Sequence, residues 1–73
     1  MSQSLRELRR AKGLSIIAVA GPARVSPTSV GLAERGRLLL SEEQARRVAE
    51  ALGVRVEDID ELATAVGERS RNA

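Results

Sequence analysis

The sequence contains no cysteine and no histidine. Without cysteine the chain has neither a disulfide nor a thiolate metal ligand, and without histidine it also lacks a frequent zinc ligand and the commonest general base of enzymes. These two absences argue against a metalloenzyme and against a serine–histidine hydrolase. We therefore predict that the protein is not an enzyme and holds neither a metal ion nor another cofactor.

Long apolar runs are missing as well. No run in the sequence approaches the roughly 20 residues that a helix needs to cross a bilayer. The first eight residues, MSQSLREL, lack the basic-then-apolar order of a signal peptide. These features predict a soluble, intracellular protein without a membrane partner, and a length of 73 residues predicts a single domain.

Positive charge is concentrated in the first half of the chain. Residues 1–37 contain seven basic and two acidic side chains, a balance of +5, whereas residues 38–73 contain five basic and eight acidic ones, a balance of −3. The two halves together give the net charge of +2. A basic half beside an acidic half indicates that one face binds a polyanion, although charges scattered without function remain an alternative.

Capping residues and apolar spacing predict five short helices and no strand. Serine residues that can cap a helix stand at Ser15, Ser26 and Ser41, Pro27 suits a first helical position, and the first helix is expected to begin near Ser4. We expect the second helix to kink or stop within a residue or two of Ala20, because Pro22 cannot donate a backbone hydrogen bond. The predicted helices cover residues 4–12, 15–20, 27–35, 41–52 and 56–66.

The predicted fold class is all-α, a compact bundle of five helices. The inward positions follow helical spacing, and at least one leucine of residues 38–40 is expected to close over the core. Residues 1–66 form the predicted domain, and residues 67–73, GERSRNA, are predicted to be a polar, frayed tail. The predicted inward side chains are Leu5, Leu8, Val19, Ala20, Ala23, Val30, Ala33, Ala45, Val48, Ala49, Leu52, Ile59, Leu62, Ala63 and Val66.

Five segments carry a family resemblance: LRELRRAKGLS, then VA, RVS, ERGR and ARRVAEALGV. In this order and spacing they resemble the Xre or lambda-repressor-like (Cro/cI-type) helix-turn-helix domains over about residues 4–62. The resemblance implies the five-helix lambda-repressor-like bundle. It also implies that the second helix crosses the DNA backbone while the third enters the major groove.

The resemblance also implies roles for individual residues. Base reading would fall to the third helix, through Pro27, Thr28, Ser29 and Leu32. Arg35 and Arg37, just beyond it, suit phosphates. The resemblance further pairs Arg9 with Glu34 in a structural ion pair that ties the third helix to the core.

Two further phosphate contacts come from the residues themselves. Ser15 and the N–H groups that open the second helix form a potential anion site, although Ser15 could serve only as a cap. Arg24 is the other candidate, with a solvated side chain as the alternative. With Arg35 and Arg37, the predicted phosphate contacts are therefore Ser15, Arg24, Arg35 and Arg37.

The chain departs from the family pattern at several positions. Ile16 stands where the family commonly has glutamine, and Arg24 stands where the turn usually has a glycine with positive φ, at a cost of about 1 kcal/mol. Gly31 lies inside the third helix, which costs about 1 kcal/mol relative to alanine but lets backbone approach closely. Ile16, Ile17, Leu32 and residues 38–40 add more apolar surface than a small core needs.

Two functional hypotheses follow. The first is a sequence-specific double-stranded DNA-binding regulator, repressor-like, cytoplasmic and nucleoid-associated. It would act as a homodimer through Ile59, Leu62 and Val66, unless these side chains only close the core. The second is a helix-turn-helix fold used as a protein-interaction module, such as an antitoxin or co-regulator with weak DNA binding, that docks a partner through Ile16, Ile17 and Leu32.

An enzymatic alternative would rest on four carboxylates in the second half of the chain. Such groups can act as acid–base pairs or bind a hard cation, but on a surface helix they are usually solvated. We predict the solvated role here. The four residues are Glu57, Asp58, Asp60 and Glu61.

Overall fold

Five α-helices account for most of the computed structural model, which describes residues 3–72, with side chains for residues 3–67. A 3-10 helix, Val56–Asp58, separates the last two α-helices. The only pairing of strand type in this part of the chain is an isolated parallel bridge between Gln3 and Ile59. The all-α prediction is confirmed. The α-helices are α1 (Leu5–Ala11), α2 (Ile16–Ala23), α3 (Pro27–Glu34), α4 (Glu42–Leu52) and α5 (Asp60–Asn72).

Local capping explains where three of these helices begin. The Ser4 hydroxyl accepts a hydrogen bond from the Glu7 N–H at 3.1 Å, and the Glu7 carboxylate accepts one from the Ser4 N–H at 3.1 Å. Ser41 and Gln44 form the same reciprocal box at the start of α4, and Ser15 caps α2 alone. Ser26, by contrast, makes no side-chain capping bond, so the predicted serine cap of α3 is wrong. Helix α3 begins with Pro27, which has no backbone N–H that would need a hydrogen-bond acceptor.

The second helix extends further than expected. It ends at Ala23 rather than within a residue or two of Ala20, and Pro22 lies inside it. Pro22 stands in the last turn, where its missing N–H removes one helical hydrogen bond, and the helix ends one residue later. The Val25 N–H donates to the Ala20 carbonyl at 3.1 Å and closes this end. The turn into α3 therefore begins at Arg24.

The fifth helix begins four residues later than predicted, at Asp60 rather than Val56. The Asp58 carboxylate accepts a hydrogen bond from the Arg55 N–H at 3.0 Å, which closes a 3-10 turn. Ile59 is extended, with φ −123° and ψ 123°, and its neighbours bond to Gln3. Helix α5 also continues to Asn72, past the expected end at Val66. The domain boundary at residue 66 stays a prediction, and so does the frayed tail, whose side chains from residue 68 on lie outside the described residues.

The core contains most of the predicted inward side chains. Helix α2 packs against both α3 and α4, and α5 packs against α1 and α4. Leu40 is buried, whereas Leu38 and Leu39 are exposed, which confirms the prediction for residues 38–40. Ala63 is only half-buried, and Ala65 is buried instead. The buried apolar side chains are Leu5, Val19, Ala20, Ala23, Val25, Val30, Ala33, Leu40, Ala45, Val48, Ala49, Leu52, Ile59, Leu62 and Ala65.

None of the helices within residues 3–72 is by itself long and apolar enough to cross a membrane. Helices α2 and α3 pass that test of length and composition only as a pair, and they are bent by 119° relative to each other.

Candidate nucleic-acid interface

Helices α2 and α3 form a sharply bent unit. The 119° between them falls in the range of about 90–120° that a helix-turn-helix motif has. Val19, Ala20 and Ala23 on α2 and Val30 and Ala33 on α3 are all buried, so their apolar faces fix the two helices to the core. The opposite face of α3 is thereby left for solvent or a ligand.

Among the predicted base-reading residues of α3, Thr28 and Leu32 lie opposite the buried face, whereas Pro27 and Ser29 lie at its sides. Pro27 and Thr28 are exposed, and Ser29 and Leu32 are half-buried. Thr28 and Leu32 are four residues apart, so they lie next to each other on one helical face. The four residues therefore span about one and a half turns of α3, and their role as a reading surface stays a prediction.

The predicted phosphate residues are all exposed but do not form one group. Ser15 begins α2, where its hydroxyl accepts a hydrogen bond from the Ala18 N–H at 3.0 Å. Arg35 and Arg37 follow the end of α3. Arg24 instead lines a cavity of about 460 Å³ with residues of α4, including Glu50, and so stands apart from the other three.

The backbone at Arg24 has the left-handed conformation that the family pattern reserves for glycine, with φ 57° and ψ 41°. Sequence reasoning missed what stabilises this end of α2. The Arg47 guanidinium donates hydrogen bonds to the Ala23 carbonyl at 2.8 Å and to the Arg24 carbonyl at 3.4 Å. Arg47 lies 24 residues after Ala23, and no local signal marks such a contact.

Arg9 and Glu34 form a nearly buried ion pair between α1 and α3. Arg9 Nε donates to Glu34 Oε2 at 2.6 Å, and Arg9 Nη2 donates to Glu34 Oε1 at 3.1 Å. Arg9 is 9% exposed, and its remaining terminal nitrogen donates to the Leu14 carbonyl at 2.8 Å. The hydrogen bonds to Glu34 raise the pKa of Arg9 above its ordinary value, against the opposing effect of burial. The guanidinium therefore stays charged, and the pair fixes α3 to α1.

A basic groove next to this ion pair was not predicted. Its volume is about 240 Å³, and four arginines line it: Arg6, Arg9, Arg10 and Arg35. Ile16, Gly31 and Glu34 complete the lining. We call it the α1–α3 groove. The clustering of arginines in residues 6–10 was the sequence signal that could have found it.

The two isoleucines at the start of α2 differ in exposure. Ile16 is half-buried and packs against the core, and its Cδ1 lies 3.8 Å from the position that a Cβ atom would have at Gly31. Ile17 is 70% exposed. Of the pair suggested as a protein-docking surface, Ile17 is therefore the more exposed side chain, and Ile16 is partly covered by its own chain.

Two of the three residues suggested for dimerisation are core residues. Ile59 and Leu62 have no exposed surface within a single chain, and Val66 is half-buried. The prediction of a dimer surface at Ile59 and Leu62 is wrong, because both side chains are buried in the core, Ile59 from the extended residue before α5 and Leu62 from the first turn of α5. Exposed apolar surface lies instead at Leu38 and Leu39, which are 39% and 51% exposed.

The four carboxylates near the start of α5 do not form a metal site. Within residues 3–72, no group of three or more potential metal-ligating side chains is positioned to hold an ion. Glu61 has a structural contact instead, since its carboxylate accepts a hydrogen bond from the Leu5 N–H at 2.8 Å. This places a negative charge at the positive end of α1.

Comparisons with known proteins agree with this geometry. The family model described as a helix-turn-helix domain matches residues 1–62. The HTH-type transcriptional regulator DdrOP3 of Deinococcus deserti is 33% identical over 73 residues, which cover 100% of this chain and 57% of that relative. The chain thus spans a little over half the length of the relative. No solved structure gives a significant match.

Proposed function

This chain belongs to the helix-turn-helix domain family, and we propose that it binds double-stranded DNA sequence-specifically as a small transcriptional regulator with a repressor-like role. The observation that carries the proposal is the bent α2–α3 unit, which buries one face of α3 and leaves the opposite face open. The similarity to a transcriptional regulator of Deinococcus deserti supports it. No catalytic activity is part of the proposal, and the site of action is the nucleoid of the cytoplasm.

Helix α3 enters the major groove. Its exposed side chains are short or apolar, so they select bases modestly: Thr28 and Ser29 bond to several bases, and Leu32 contacts a thymine methyl group. Arg35 and Arg37 follow directly and contact phosphates, as does the start of α2 at Ser15. Phosphate contacts therefore provide most of the affinity, and α3 provides the preference among sequences.

The active form is a homodimer on a two-fold site, with half-sites about 34–36 Å apart. The surface that joins the two copies is the Leu38–Leu39 patch. A groove of about 290 Å³ lies beside it, lined on the other side by Asp60, Glu61 and Thr64 of α5. This assignment replaces Ile59 and Leu62, while Val66 on α5 remains able to contribute at the edge.

Selection of bound duplexes from a random pool tests the proposal, with affinity measured as a function of salt. We expect a symmetric motif, because a homodimer reads two half-sites related by two-fold symmetry. We also expect a steep negative slope of log affinity against log salt concentration, because binding releases counterions from the phosphates. Failure to bind any duplex at low salt, or a flat slope, would refute DNA binding.

Two single substitutions separate base reading from phosphate binding. Thr28→Ala should change which sequences are selected, because it removes a hydroxyl group from the reading surface. Arg37→Ala should weaken binding to all sequences about equally and lower the salt slope by about 1. If Thr28→Ala leaves the selected motif unchanged, α3 does not read bases as proposed.

A protein-interaction role is the second candidate, and the 70% exposure of Ile17 at the start of α2 favours it. In that role, an apolar partner surface would cover Ile17. Ile17→Gln removes the apolar surface without adding charge. Loss of a defined partner complex with unchanged DNA affinity would support this role, whereas loss of neither would argue against it.

A further inference from the structure

The α1–α3 groove has a strongly positive lining. Its four arginines and one glutamate give the lining a net charge of +3. Three of the arginines, Arg6, Arg10 and Arg35, are exposed, and none has a carboxylate within ion-pair distance among the side chains of residues 3–67. The glutamate does not offset them, because Arg9 occupies both oxygens of Glu34.

Part of the groove lining is apolar. Ile16 contributes to it beside Gly31, where a Cβ atom would lie 3.8 Å from Ile16 Cδ1. The Ile16 side chain excludes some water from the neighbouring cationic groups, which strengthens their attraction for an anion. Because α1 is fixed to α3 through Arg9 and Glu34, the exposed arginines of α1 are held in a constant position relative to the reading helix.

The groove also adjoins the proposed DNA-binding surface. Ile16 follows the Ser15 cap, and Gly31 precedes Leu32 of the reading surface. A DNA strand that follows α3 along the major groove therefore passes the groove entrance. This continuity favours a duplex backbone over a free small anion as the occupant.

We propose that the α1–α3 groove binds a backbone phosphate of the duplex, with Arg6 and Arg10 as ligands next to Arg35. The inference rests on the proposed DNA-binding function and extends it to α1. Arginine suits this task because its planar fork bonds two phosphate oxygens at once. Arg6 and Arg10 then add affinity without sequence preference.

The test compares the double variant Arg6→Gln/Arg10→Gln with the control Arg46→Gln/Arg55→Gln. Both remove two positive charges, but Arg46 and Arg55 belong to α4 and the segment after it and form ion pairs with Glu42 and Glu57. We expect the groove variant to bind the selected duplex at least tenfold more weakly than the control. Its salt slope should be smaller by about 1, and the selected sequence should not change.

Ethylation of single phosphates locates the contact. One ethylated phosphate should weaken binding of the wild type and of the control but should not further weaken the groove variant. The double variant Arg6→Lys/Arg10→Lys should bind more tightly than the glutamine variant and more weakly than the wild type. Lysine keeps the positive charge but lacks the planar guanidinium that bonds two phosphate oxygens at once.

Three outcomes would overturn the inference in distinguishable ways. Equal affinities of the groove variant and the control, with steep salt dependence in the wild type, would refute the groove and leave DNA binding intact. Absence of duplex binding by the wild type would refute both. If inorganic phosphate shifts the Arg6 and Arg10 Nε resonances and duplex does not, the groove binds a small anion instead.

Discussion

Arg24 carries the clearest backbone strain in the molecule. It is the one residue other than glycine with positive φ in the described part of the chain. The left-handed conformation costs a residue with a Cβ atom about 1–2 kcal/mol. The ends of α1, α3 and α4 avoid this cost with Gly13, Gly36 and Gly53. Of these four helices, only α2 ends on a strained residue, and Arg47 stabilises that end through two carbonyl hydrogen bonds.

We predict that Arg24→Gly raises the free energy of unfolding by about 1 kcal/mol, because glycine adopts positive φ without a Cβ clash. Arg24→Ala is the matched control: it removes the same guanidinium but keeps the strain. Urea denaturation of both variants measures the difference. If the glycine variant is no more stable than the alanine variant, the strain at Arg24 is negligible.

The same two variants also test the predicted role of Arg24 at phosphates. Both lack the guanidinium, so a phosphate contact predicts that both bind DNA more weakly and to the same extent. The cavity that Arg24 shares with Glu50 lies on the α4 side of the turn. Unchanged DNA affinity in both variants would show that Arg24 contacts no phosphate and only lines the cavity beside α4.

At the scale of elements, the position of α3 depends on α1. The link is the ion pair of Arg9 and Glu34, whose side chains are 11% and 6% exposed. A buried pair adds little net stability, but removal of one partner leaves a charge without compensation. The pair thus fixes where α3 lies rather than adding much to the total free energy of folding.

We predict that Arg9→Met and Glu34→Leu each destabilise the fold by about 3–5 kcal/mol, and that the double variant is far more stable than the sum predicts. Thermal and urea unfolding of the four proteins gives the coupling energy. Glu34→Gln provides a milder single variant if Glu34→Leu does not fold. Additive single effects would show that the two side chains act independently.

Local signals account for most of what the sequence predicts. The starts of α1, α2 and α4 follow from serine caps, and the buried faces follow from helical spacing, because both depend on residues within one or two turns. The contacts that sequence reasoning missed join distant segments. Arg47 reaches the end of α2, and Gln3 pairs with Ile59; neither local spacing nor charge specifies such a contact in advance.

The functional site divides in the same way. The exposed face of α3 was predictable, since Val30 and Ala33 define the buried face and the remaining positions follow. The burial of Ile59 and Leu62 was not, because an apolar stripe in the sequence looks the same whether it covers the core or a partner. The α1–α3 groove could not be predicted either, because its existence depends on how α1 lies against α3.

At the scale of the whole molecule, the large apolar side chains that stay exposed after folding, among residues 3–67, are those of the Leu38–Leu39 patch and Ile17. A single chain completes its core without these side chains. The proposed two-fold DNA site requires two copies of α3 at a fixed spacing, and self-association through the patch would provide it. Leu38 follows Arg37 in the chain, so such a dimer would also order the proposed phosphate contact at Arg37.

We predict that Leu39→Glu makes the protein monomeric and weakens binding to the two-fold site, because facing copies would place like charges in the interface. Analytical ultracentrifugation and binding curves measure both effects. Ile17→Gln is the control, since it alters an exposed apolar residue outside the patch. Unchanged sedimentation of Leu39→Glu relative to this control would exclude the patch as the dimer surface.

The bridge between Gln3 and Ile59 also bears on the order in which the molecule assembles during synthesis. Leu5 and Glu61 are 56 residues apart, so at 5–20 residues per second the ribosome needs roughly 3–11 s to deliver the partner of the first helix. During this interval Ser4 and Glu7 already cap the start of α1, but the Leu5 N–H has no Glu61 carboxylate to bond to. Docking of α5 therefore completes the first helix as well as the last.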